Sequence, residues 1–339
     1  MDMLSSDIFG PQLFFMTTNQ LMYLIFGLVI LLALVFDLGL ISKMNKKVTI
    51  RQALYQTLFW VSLAIGFFVF MWFYDSRITA LEYLSAYLME WSLSIDNIFV
   101  FIIIFTSFSV SAKHYGRVLL LGILMAIVFR VIFITVGVAL VERFHWILYI
   151  FGGFLVFTGY KMFFASDDEE FDPHKSKVYK YMSKVLPLAP HDGDGKFFIR
   201  ENGKRYYTTL FVVVVMLAAI DLVFALDSIP AVMGISRDRM VIYTSNIFAL
   251  LGLRSLFFLL RSAVSKFDYL QQGIAIVLVF IGLKMLAEHW INPYVPKTTQ
   301  VLISLGVILV CLTASILYSR THAKKGEPLD AGDESDVPK

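Results

Sequence analysis

Two stretches of the chain set carboxylates inside sequence that otherwise suits lipid. "YLMEWSLSIDNIFVFIIIF", opening at Tyr87, holds Glu90, Asp96 and Asn97. "AAIDLVFALDSIPAV" holds Asp221, Asp227 and Ser228. A charged group at mid-bilayer costs about 2.5–3.5 kcal/mol on insertion scales, and such groups mark ion or proton paths or pair with one another. The donors in both stretches are all oxygens. None of the six histidines falls at the middle of an apolar run, and the one cysteine, Cys311, stands alone near the C-terminal end. Oxygen donors suit hard cations such as Mn²⁺, Mg²⁺ or Ca²⁺, whereas zinc and copper more often recruit His or Cys. Met89, Met216 and Met285 lie in the same apolar runs. They read as packing or lipid-facing residues, with a soft metal ligand as the sharper alternative.

The elements that position these residues are membrane helices. The chain has 339 residues, of which 58% are hydrophobic and 16% charged. Its mean hydropathy is +0.73. Soluble chains average about 45–50% apolar and about 25% charged, so this is an integral membrane protein. A net charge of +3 gives no footprint for nucleic acid. One cysteine excludes an intrachain disulfide framework. The N-terminal "MDMLSSDIFG" lacks the basic stretch of a secretory signal.

Nine runs are long and apolar enough to span: 18–41, 52–74, 82–107, 118–140, 146–164, 209–233, 240–260, 271–289 and 299–319. The short connections on one side, with the first residues of the tail, carry eleven Lys and Arg, among them Lys43, Lys46, Lys47 and Arg51; the other side carries five. The positive-inside rule then sets the N-terminus outside and the C-terminus in the cytoplasm. Residues 1–17 form an extracytoplasmic segment, and 18–74 two peripheral helices. Residues 82–164 and 209–289 form three-helix units. Between them, 165–208 is a cytoplasmic loop in which the dipeptide Asn202-Gly203 suits a hairpin turn. It reads as a solvated loop with that small hairpin, or, more sharply, as a vestibule whose acidic run "SDDEEFD" collects cations. The last span is 299–319, and 320–339 has the polar composition of a disordered tail.

The two units repeat each other. In each, one acid is followed by five residues and a second acid; then come a deep arginine, Arg130 or Arg254, and a Gly-x-Lys-Met ending at Lys161-Met162 or Lys284-Met285. Three helices per copy is an odd number, and the connection returns to the side it left, so the second copy is inverted. Inverted repeats of this kind build secondary transporters with a site near the midplane. The expected fold is therefore an all-α polytopic membrane protein of about nine helices with an inverted repeat of three helices each.

Six residues of straight helix turn about 240°, which would separate Asp221 from Asp227. Pro230 is expected to kink or break that helix, free the Leu226 carbonyl as a ligand and swing Asp227 toward Asp221. On the other helix, Ser92 lies one turn before Asp96 and can share its face. Glu90 or Asp221 could instead serve only to neutralise Arg130 or Arg254. Asp37, near the cytoplasmic end of the first helix, reads equally as an interfacial residue or a gate. An intramembrane aspartyl protease would show Gly-x-Gly-Asp, which the spans lack, so no enzyme is expected.

The segments "LMEWSLSIDNIFVF", "DLVFALDSIPAV", "TSNIFALLGLR" and "WILYIFGGFLVFTGYKM" resemble the TerC/Alx family of membrane proteins over roughly residues 20–320. That family is similar to the LysE exporter superfamily in its inverted three-helix repeats. The resemblance implies manganese export from a bacterial cytoplasm, an older association with tellurium resistance, and supply of metal to secreted enzymes. Carried over motif by motif, it implies a metal path through Glu90, Asp96, Asn97, Asp221, Asp227 and Ser228, with Asn246 as a supporting or gating residue. The expected function is a secondary transporter exporting Mn²⁺ across the inner membrane, with proton antiport. It holds no permanent cofactor; its partners are the divalent ion and the bilayer. The alternatives are Ca²⁺ exchange, and a non-transporting scaffold that associates with the secretion machinery or secreted metalloenzymes.

Overall fold

Backbone N–H and C=O groups cannot stay unpaired in hydrocarbon, so apolar runs of this length close their hydrogen bonds internally as helices. The computed structural model describes residues 23–32, 35, 48–164, 172–201, 203–261 and 269–321. The chain divides into residues 1–45 and residues 46–339. The first unit contributes helix α1 (Tyr23–Leu32); Asp37 lies outside the described residues.

The second unit contains α2 (Ile50–Tyr74), α3 (Arg77–Ser107), α4 (Tyr115–Arg143), α5 (Ile147–Phe163), α6 (Lys177–Val185), α7 (Thr209–Ile235), α8 (Arg239–Leu260), α9 (Leu270–Leu286), the short α10 (Glu288–Ile291) and α11 (Lys297–Thr321). Among the described residues, six helices are long and apolar enough to cross a membrane, and α1, α5 and α9 are shorter apolar helices. These occupy the nine expected positions. Helix α3 starts earlier than hydropathy places it because Ser76 caps it, accepting from Ile78 N at 3.2 Å. Thr49 and Gln52 close a capping box at the start of α2.

The packing is that of an inverted repeat. Helix α3 packs on α8, α4 on α7, and α5 on α9. Exchanging the two units leaves this pattern unchanged. Along α5 and α9, Gly152 faces Gly282 and Gly159 faces Ala275, so seven residues forward on one helix meet seven backward on the other. The two helices are therefore antiparallel. A Cβ built on Gly159 would lie 2.7 Å from the Ala275 oxygen and 2.8 Å from Val279 Cγ2; one on Gly282 would lie 2.7 Å from the Gly152 oxygen and 2.8 Å from Val156 Cγ2. The matching contacts mark a two-fold relation between the copies. Met89, Met216 and Met285 are buried rather than lipid-facing.

The connection between the copies holds, in its described part, the expected hairpin and, beside it, a short helix. Its acidic run lies outside the described residues except for Asp172. Beyond it, α6 and an antiparallel hairpin, β1 (Phe198–Glu201) and β2 (Lys204–Tyr207), fold against the helix ends. Glu201 pairs with Lys204, which leaves a two-residue turn, and Gly203 adopts φ +77. Met182, Ala189 and Thr208 are buried beneath this cover, and Arg117 Nη1 donates to the Gly195 carbonyl at 3.1 Å.

Candidate functional site

Where the two copies meet, one arginine gathers acids from both. Arg130 of α4 is 1% exposed, Glu90 of α3 0% and Asp221 of α7 1%. Arg130 Nη1 donates to Glu90 Oε2 at 2.6 Å. Its Nε donates to Asp221 Oδ2 at 3.1 Å and its Nη2 to Asp221 Oδ1 at 3.3 Å. The planar guanidinium thus forks onto Asp221, a geometry lysine cannot supply. Nη1 also reaches Asn246 Oδ1 of α8 at 2.8 Å and Ser228 Oγ of α7 at 3.3 Å. Asn246 is held in turn, its Nδ2 donating to the Ile242 carbonyl at 3.0 Å. Four helices from both repeats therefore converge on one charge.

Such burial is tolerated only with pairing, because an isolated ion in the interior is far costlier than a paired one. The pairing is incomplete. Glu90 Oε1 and Ser94 Oγ are buried without a hydrogen-bond partner among the described residues. Ser94 lies four residues after Glu90 on α3, one turn along the same face, and the buried Asn97 follows three residues on. The sequence marks Glu90 and Asn97 in this row.

The six expected metal ligands do not form one cluster in this conformation. Glu90, Asp221 and Ser228 come together, with Arg130 and Asn246 between them. Asp96 and Asp227 do not join. Both are only partly buried, and among the described residues neither is ion-paired. Asp227 accepts from Thr158 Oγ1 of α5 at 3.2 Å. Nor do any three His, Cys, Asp or Glu side chains among the described residues form a metal-sized group. The cause is in α7, which runs unbroken through Pro230. The helix is not broken there, and Asp227 is hydrogen-bonded to Thr158 of α5 rather than joined to the acids around Arg130. Leu226 is 49% exposed. Ser92 turns back into its own helix, donating to the Leu88 carbonyl at 2.6 Å, rather than serving Asp96. Arg254 is buried in α8, at the place in the second copy that Arg130 has in the first.

Residues 75–327 match the family described as integral membrane protein TerC. The chain belongs to the TerC family. This TerC-family chain is 39% identical to an uncharacterized membrane protein of Rickettsia bellii over 295 residues, covering 87% of this chain and 97% of that one. It is 40% identical to an uncharacterized membrane protein of Myxococcus xanthus over 290 residues, covering 86% and 90%. It is 38% identical over 309 residues to Alx of Escherichia coli strain K12, covering 88% and 95%; that protein's name proposes a membrane-bound redox modulator. No solved structure matches the chain.

Proposed function

We propose that the protein is a secondary transporter that exports Mn²⁺ from the cytoplasm across the bacterial inner membrane, with protons moving the other way. The observation that carries this reading is the Arg130 node. It lies at the contact of two inverted copies, is fully buried, and leaves a carboxylate oxygen of Glu90 and the hydroxyl of Ser94 without a hydrogen-bond partner among the described residues. That is where transporters of inverted-repeat architecture bind their cargo. Arg130 supplies the resident positive charge. Asp96 and Asp227, less buried and outside the node, are the acids free to meet an incoming cation first. Carboxylates that trade a metal for protons give antiport its chemistry. The N-terminus is outside and the C-terminus cytoplasmic in this reading. The protein acts as a carrier and not an enzyme, with the divalent ion and the bilayer as its partners.

The redox wording attached to Alx finds no dithiol couple here, since the chain has one cysteine. The test is Mn²⁺ flux into proteoliposomes, wild type beside Asp96→Asn and Asp227→Asn, with a pH dye inside and Ca²⁺ as competitor. Flux in the wild type alone, with opposite proton movement, supports the reading. Strong competition by Ca²⁺ would change the cargo to calcium. No flux from folded wild-type protein would overturn transport in favour of a scaffold that hands metal to secreted enzymes.

A further inference from the structure

A second polar contact lies on the same helix seam as the Arg130 node. On α3 and α7, Glu90 and Ser228 meet through Arg130. Eight residues earlier on α3 is Glu82; eight residues after Ser228, just past the end of α7, is Ser236, whose hydroxyl donates directly to Glu82 Oε2. Equal steps in opposite directions make this an antiparallel seam with two polar rungs, about 12 Å apart along the helix. Glu82 is 1% exposed. It lines a cavity of about 410 Å³ bounded also by Ser236, Arg237, Lys284, Glu288 and Lys297.

Most charges in that cavity have partners apart from Glu82. Arg237 pairs with Glu288. Lys284 donates to the Gly234 carbonyl at 3.3 Å and to Ser304 Oγ at 3.0 Å, and it lies within electrostatic reach of Glu82 without a direct bond to it. Glu82 Oε1 depends on Lys297, whose Nζ lies 2.8 Å away. The two side chains differ sharply in freedom, Lys297 being 70% exposed and Glu82 1%. The acid is fixed in the wall, while the ammonium reaches it from the solvent-exposed start of α11. A lysine ammonium is a compact point charge on a flexible stem. It stands against Glu82 where a small cation would stand. If the lysine leaves, Lys284 remains within electrostatic reach but not in contact, and the place directly against the buried carboxylate opens to another cation.

We propose that Glu82 is a second cation station on this seam, and that Lys297 is its tethered, displaceable occupant. The ammonium holds the station while no cargo is present and swings into solvent when a divalent cation arrives. The proposal rests on the transport reading above and adds to it a release site and a gate at the end of the seam where α3 begins.

Two measurements test it. In detergent-solubilised wild-type protein, where both faces are open to reagent, Lys297 is labelled with a water-soluble amine acylating reagent and quantified by mass spectrometry, with and without Mn²⁺. Displacement predicts faster labelling of Lys297 when Mn²⁺ is added and no change at the exposed Lys204. In detergent, Mn²⁺ binding is followed by the loss of the free-ion electron paramagnetic resonance signal. Lys297→Met is expected to tighten binding by about tenfold, Lys297→Arg to bind like wild type, and Glu82→Gln/Lys297→Met to lose the gain. Lys297 labelling indifferent to Mn²⁺ overturns the station even if Lys297→Met fails to fold. So does equal binding by Lys297→Met and the double variant. Absent flux in wild-type vesicles would instead remove the transport reading, a result read independently of either measurement.

Discussion

Gly282 of α9 lies so close to Gly152 of α5 that a methyl group on Gly282 would meet the Gly152 carbonyl oxygen at 2.7 Å. The obstacle is main chain, which cannot rotate away. Gly282→Ala should therefore separate the two helices and cost about 1–3 kcal/mol, the usual range for overpacking. Gly159→Ala should cost a similar amount, since it meets the Ala275 oxygen at the same 2.7 Å. Gly153 has nothing within 4 Å of a built Cβ. Gly153→Ala should be neutral or stabilising by up to about 1 kcal/mol through helix propensity. Thermal midpoints in detergent for the three variants check this. Equal midpoints for Gly282→Ala and Gly153→Ala would contradict the close packing.

Arg130 carries the charge balance of the centre. Arg130→Met strands Glu90 and Asp221 in the interior, and breaking a buried pair from one side costs about 3–5 kcal/mol. Arg130→Lys should recover only part of this, because an ammonium cannot reproduce the fork onto Asp221 and the reach to Asn246. Adding Glu90→Gln and Asp221→Asn to Arg130→Met should restore most of the lost midpoint. A single Arg130→Met variant as stable as wild type would show that the node is not a structural pair.

Asp75, between α2 and α3, offers a test outside the membrane spans. Burial first, and then the nearby Asp238 carboxylate, push its carboxyl above the ordinary value of 3.8, against weaker pulls from Thr79 and Ser76. The folded protein thus holds this proton more tightly than the unfolded chain does. Ionised Asp75 costs stability at neutral pH, and the cost fades as pH falls through the raised folded value and is gone below 3.8. Asp75→Asn should raise the thermal midpoint at pH 7 and lose that advantage below pH 3.8. Midpoints of both proteins at the two pH values decide it; an advantage that grew on acidification would reverse the sign.

The sequence carries the helices and their repeat because both are periodic, local facts. Hydropathy marks the apolar runs, and the shared order of acid, arginine and Gly-x-Lys-Met marks the two copies. The contents of the centre are not local. Glu90, Asp221 and Arg130 are forty or more residues apart, and nothing in their spacing says that one guanidinium would take both acids. Pro230 does not interrupt α7, and the reason is likewise not local: its missing N–H is visible in sequence, but the burial of its neighbours Ile229, Ala231 and Val232 is tertiary. Proline is tolerated in membrane helices where neighbours compensate. Glu82 lies at the polar end of a run, where sequence alone reads a boundary residue; only packing reveals it as buried beside Ser236.

Asp221 and Asp227 share one helix and should respond differently to the same substitution. Asp221 is tied to Arg130 by two hydrogen bonds, so Asp221→Asn weakens the central pairing and should lower the thermal midpoint. Asp227 has only the Thr158 hydroxyl as partner among the described residues. Asp227→Asn keeps an acceptor for that hydroxyl and disturbs no ion pair, so its midpoint should match wild type. If Asp227 lies on the cation path, the same variant should abolish Mn²⁺ flux, and Thr158→Val, which removes only the donor, should reduce flux without abolishing it. Midpoints and proteoliposome flux measured on the three variants separate the roles. Normal flux in a folded Asp227→Asn protein would take Asp227 out of the path and leave Asp96, the Arg130 node and Glu82 as the candidates for cargo binding.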